Sequence, residues 1–132
     1  MTFEPETVAV RLLGRVPPKA NPDPNVLTGI GGSPGVVQGT ARVLRSLAEA
    51  TKLEDGDIMV CEMTLPPWTP LFSLVNGIVT DTGGALSHCA IVAREYGLPA
   101  VVGTLVGTTV ITDGMTITVD GTKGTVRIDA RP

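Results

Sequence analysis

The hydrophobic residues of this chain fall into short runs, and the spacing of each run predicts an element. Val36 to Leu44 alternates apolar with small or polar residues, the pattern of a half-buried strand. Ile58 to Cys61 follows an Asp55-Gly56 turn as a short strand. Gly77 to Thr80 and Ala100 to Val102 are further short strands, the first of them buried. Met115 to Val119 alternates strictly, Asp120 to Gly124 turns the chain, and Thr125 to Ile128 returns as a hairpin partner. Val110-Ile111 reads with this β tail. His88 to Tyr96 is the best helix, with Ser87 as N-cap, Gly97 as C′ residue and Pro99 to stop it. Ser46 to Thr51 fits one or two helical turns. Pro66, Pro67 and Pro70 open a short helix running to Leu74.

These elements make a compact β/α domain, and 132 residues suit one domain. Residues 1–25 stand apart from it. Pro17, Pro18, Pro22 and Pro24 lie close together, so this part is expected to be an extended N-terminal arm, with the domain over 26–132. The apolar residues between Val8 and Val16 would suit a short element against a partner.

Composition removes several classes of function. Apolar residues make up 42% and mean hydropathy is +0.28, which argues against a disordered chain. No apolar run approaches the roughly 18 residues of a membrane span, and Glu4 and Glu6 interrupt any signal peptide. Net charge is −3 with scattered basic residues, and aromatics are 3%, so nucleic acid is disfavoured as a partner. Cys61 and Cys89 form no CxxC pair, and with one histidine a zinc site is improbable; no metal is expected on this chain. A reduced cytoplasm fits this cysteine usage.

The candidate chemistry gathers at that histidine. A strand ends at Asp81, Thr82-Gly83-Gly84 turns the chain, and Ser87 caps a helix whose first turn holds His88. A helix N-terminus offers free N–H groups to an anion. Imidazole is a good nucleophile near neutral pH, and phosphoryl transfer asks mainly for positioning and charge stabilisation. His88 is therefore the candidate nucleophile. Thr82, Gly83, Gly84 and Ser87 are the candidates for holding a phosphate, through two hydroxyls and a flexible backbone turn. Asp81 is expected to anchor that turn. Arg94, on another face of the helix, is expected to support structure or an interface.

The stretch from Thr80 to Thr104, TDTGGALSHCAIVAREYGLPAVVGT, resembles the phosphohistidine signature of the mobile domain of phosphoenolpyruvate-utilising enzymes. Gly29 to Gly39, Thr64 to Pro70 and Asp113 to Gly124 resemble other parts of that domain, so the likeness covers about residues 26–129. Cys89 departs from the alanine expected after the histidine.

The resemblance implies an α/β fold, the swivelling β/β/α phosphohistidine domain, with His88 phosphorylated. It implies a larger ATP-grasp partner subunit that binds ATP and Mg2+, while this chain binds no cofactor itself. The chain is then the histidine-bearing subunit of a hetero-oligomeric phosphotransferase. Pro67 to Phe72 and Arg94 to Gly97 resemble the rifampin phosphotransferase and phenylphosphate synthase branches. This favours a phenol or cresol as the small-molecule acceptor. A split phosphoenolpyruvate synthase or dikinase, and a non-catalytic docking module of the same fold, are the alternatives.

Overall fold

The computed structural model describes residues 23–132. The expected arm falls outside them for residues 1–22. The chain enters through a turn at Asp23, whose carboxylate accepts the Asn25 N–H. Eight strands follow: β1 (Val26–Thr28), β2 (Ile30–Ser33), β3 (Val36–Leu44), β4 (Ile58–Cys61), β5 (Gly77–Thr80), β6 (Ala100–Val102), β7 (Thr116–Asp120) and β8 (Thr125–Ala130). The helices are α1 (His88–Tyr96) and the single turn α2 (Gly107–Val110). Two 3-10 helices, Leu47–Lys52 and Pro66–Ser73, occupy loops.

The strands form one sheet in the order β1-β8-β7-β3-β4-β5-β6-β2. Its two ends are β1 and β2, which are separated in sequence by Gly29 alone. The sheet therefore curls back on itself at that residue. A Cβ on Gly29 would stand 2.5 Å from the Val102 carbonyl oxygen, so the crossing requires glycine. Strand β3 serves both halves. Val36–Thr40 pairs antiparallel with β7, and Ala41–Leu44 pairs parallel with β4.

Two cores result, and the alternation of side chains across the parallel strands assigns residues to each. Ile58, Val60, Val79 and Val101 face the antiparallel half and meet Ile117, Val119 and Val126. Met59, Cys61, Ile78, Ala100 and Val102 face the other way, toward Trp68, Phe72, Val92 and Ala93 of the helical layer. The layers are sheet, sheet and helix, the β/β/α order the resemblance implied.

Two elements gain detail and one expectation changes. Strand β1, three residues long after a proline-rich stretch, opens the domain at Val26, where the spacing predicted no separate element. The short helix opened by Pro66 is a 3-10 helix; Pro70 lies inside it and removes a donor that an α-helix would use. Val110 is not strand but the end of α2. One distant and one local side chain hold that turn: Asp81 accepts the Thr108 N–H at 2.9 Å, and Thr104 accepts the Gly107 N–H at 3.1 Å.

Candidate functional site at the start of the long helix

Strands β4, β5 and β6 run parallel, so their C-terminal ends converge on one edge of the domain. Crevices beyond such ends are where open α/β sheets bind ligands. The chain continues the pairing past β5: Asp81 N–H donates to Cys61, Thr82 N–H to Glu62, and Gly103 N–H back to Thr82. The turn Gly83–Leu86 then lifts away from the sheet. Gly83 has φ +103°, and a Cβ there would lie 3.0 Å from the Ser87 side chain, so this position needs glycine. Gly84 has no such requirement; a Cβ on it would meet nothing within 4 Å.

Ser87 caps α1 as its sequence predicted. Its hydroxyl oxygen accepts the Ala90 N–H at 3.3 Å, and its carbonyl accepts that of Ile91. Such a cap stabilises a helix by about 1 kcal/mol. Gly97 closes the other end in a left-handed conformation. His88 is the first residue of the helix and is half-buried. The N–H groups of His88 and Cys89 have no partner among the described residues. They are the orphan donors of a helix start, beside the imidazole.

The ring is held from two sides. Thr64 Oγ1 lies 2.9 Å from Nδ1. Phe72 packs against the ring at right angles, with centroids 6.3 Å apart, and in turn touches Tyr96. Thr64 is itself buried. Nδ1 is thus engaged, and Nε2 has no partner among the described residues.

The other predicted residues take different places. The Thr82 hydroxyl donates to the Glu62 carbonyl at 3.0 Å, so its proton is committed to the backbone of the neighbouring strand end. Asp81 does not anchor the Gly83-Gly84 turn. Its carboxylate accepts from both the N–H and the hydroxyl of Thr108 and fixes α2 instead. Arg94 reaches back under the turn, donating to the Gly32 carbonyl at 2.5 Å and the Ala85 carbonyl at 2.9 Å.

Cys89 is buried, and burial pushes its thiol up to about 12, against the lowering effect of a hydrogen bond from Thr64. Cys61 is pushed up further by burial and then by Cys89, Asp81 and Glu62. Both thiols stay protonated near neutral pH and act as small apolar packing. Thr64 was missed as a site residue. Its signal was its position three residues after a parallel strand adjacent to the one that leads to His88.

A three-layer β/β/α domain that presents one imidazole at the start of a helix defines a narrow class. Residues 53–124 match the family described as PEP-utilising enzyme, mobile domain, and the chain belongs to that family. Chondramide synthase cmdD of Chondromyces crocatus is 51% identical over 120 residues, 91% of this chain and 3% of that protein. The rifampicin phosphotransferase of Bacillus cereus is 50% identical over 102 residues, 77% of this chain and 12% of that protein. A solved Enzyme I structure (nEIt) matches with TM-score 0.54 and 34% identity, covering 61% of this chain and 34% of that one. The chain therefore spans only a small part of the curated relatives it matches, which include phosphotransferases. Among the described residues, no helix is long and apolar enough to cross a membrane.

Proposed function

We propose that this chain carries a phosphoryl group on His88 between a donor site and an acceptor site that lie outside it. The observation that carries the reading is the 2.9 Å contact of Thr64 with Nδ1, which holds one ring nitrogen and leaves the other unpartnered beside free helix N–H groups.

With the proton on Nδ1 donated to Thr64, the lone pair sits on Nε2. Nε2 attacks the phosphorus of the donor. The N–P bond forms as the bond to the leaving oxygen breaks, and that oxygen departs with the electron pair. The N–H groups of His88 and Cys89, with the Ser87 hydroxyl, are placed to stabilise charge on the phosphoryl oxygens. In the second step the acceptor's hydroxyl oxygen attacks phosphorus, the N–P bond breaks, and its electrons return to Nε2. The acceptor's proton leaves to solvent or a base at the acceptor site.

The donor in this reading is ATP, bound with Mg2+ by an ATP-grasp partner. Support comes from the family and from the relatives' greater length. The acceptor in this reading is a phenol or cresol, giving an aryl phosphate. It is supported by the likeness of Pro67 to Phe72 and Arg94 to Gly97 to the aryl-phosphate and rifampin branches.

The test is to incubate the chain with its native nucleotide-binding partner and ATP. Acid-labile, base-stable phosphate is expected on the chain, and none on His88→Ala, an unambiguous control because the chain has one histidine. Adding 4-cresol should then release aryl phosphate. A turning-over assembly whose His88 never carries phosphate would refute the carrier; phosphorylation without aryl phosphate would refute only the acceptor.

A further inference from the structure

The turn that delivers His88 is weakly tied to the rest of the domain. Ser87 N–H donates to the Gly84 carbonyl, a bond within the turn itself. The N–H groups of Gly83 to Leu86 have no partner among the described residues. Leu86 is 83% exposed and contributes no packing.

One side chain grips this turn. Arg94 lies near the end of α1, and its guanidinium donates to Ala85, three residues before His88, and to Gly32 in β2. The two carbonyls belong to the turn and to the edge strand. The guanidinium is a planar, rigid fork, so its two bonds set a distance and an angle between them. The same strand passes close under the helix, where a Cβ on Gly32 would stand 3.2 Å from that of Ala90. Helix, turn and edge strand thus meet at Arg94.

Resting on the carrier reading above, we infer that Arg94 is a positioning residue for His88. By fixing Ala85 it holds the Ser87 cap in register with the strand. It thereby sets the direction in which the first turn of α1, its free N–H groups and the imidazole face. Its hydrogen bonds go to Gly32 and Ala85, not to the ring.

The test needs only the intact chain for its main readouts. Arg94→Met removes both bonds and keeps the apolar stem; Arg94→Lys keeps the charge but not the fork. In Arg94→Met, hydrogen exchange at the Ser87, Ala90 and Ile91 amides should speed at least tenfold. Exchange at Ile78 and Val79 in the core should stay as in the wild type. The ring nitrogen resonances of His88, the sole histidine, should shift or broaden, and Arg94→Lys should restore them in part. With the partner and ATP present, the phosphorylation kcat should fall while KM for the chain stays constant.

Unchanged exchange at the cap and an unchanged ring signal would overturn the inference. So would faster exchange spread evenly through the core, the mark of a merely structural residue. Should Arg94→Met fail to fold, the inference rests on Arg94→Lys, whose ring signal must then lie away from the wild type. If the cap and ring respond as expected but the wild-type chain never accepts phosphate, positioning stands and the carrier reading alone fails.

Discussion

Two glycine-containing turns of this domain are built from similar residues and end in opposite states. In Asp120–Gly124 every backbone donor of the last four residues is used. Gly121 donates to the Gly35 carbonyl, Thr122 and Lys123 to the Asp120 carboxylate, and Gly124 to the Asp120 carbonyl. The turn also packs into the seam where the sheet closes. Gly83–Leu86 uses none of its donors among the described residues and leads to two more free N–H groups at the helix start. Buried backbone donors are nearly always paired, so a turn that stays open must face water or a ligand. Glycine alone distinguishes neither turn. What separates them is whether a side chain, Asp120, folds back to consume the donors.

The largest expected effect lies at the closed turn. A Cβ on Gly121 would stand 1.8 Å from the Ser33 carbonyl oxygen and 2.9 Å from the Ala100 nitrogen, both rigid backbone. Gly121→Ala must push two strands apart. It should cost about 3 kcal/mol or more and lower the melting temperature by roughly 10 °C. A thermal melt within a degree or two of the wild type would mean that the seam is looser than its contacts indicate.

The next effect belongs to the open turn and to function. Thr64→Val keeps shape and burial but removes the oxygen that holds Nδ1. The ring is then free to turn and to change tautomer. Phosphorylation of His88 should slow by about 10- to 100-fold, the range for loss of a partner that orients a functional histidine. The melting temperature should move by only a few degrees. A rate equal to the wild type would show that Phe72 and the helix start suffice to aim the ring.

The difference between the turns also marks what could be read from the chain. The strands β3, β4, β5 and β6 and the helix α1 lie where their local patterns place them, because alternation, capping by Ser87 and termination by Gly97 are encoded within a few residues. The helix start that holds His88 was legible for the same reason. Thr64, Arg94 and Asp81 were not legible in the same way, because each acts across chain separations of 24, 62 and 27 residues. Thr64 reaches His88 only because parallel strands end side by side. The β-branched run through Val110 looks like strand, yet Asp81 and Thr104 turn it into α2. The sheet's closure at Gly29 was hidden too, since one glycine in a glycine-rich stretch carries no mark of joining two edges.

The smallest effect, opposite in sign to the first, is expected at Gly84. This residue sits in the open turn, its φ is not in the left-handed range, and a Cβ there would meet nothing within 4 Å. Alanine therefore brings no clash and no backbone strain in the folded state. It does narrow the conformations open to the unfolded chain, which stabilises the fold by about 0.4–1 kcal/mol at compatible sites. Gly84→Ala should raise the melting temperature by roughly 1–4 °C. The same exchange of glycine for alanine would then damage the closed turn and favour the open one. A loss of stability at Gly84 near that at Gly121 would erase the contrast. It would mean that the turn before His88 is packed against something, not open.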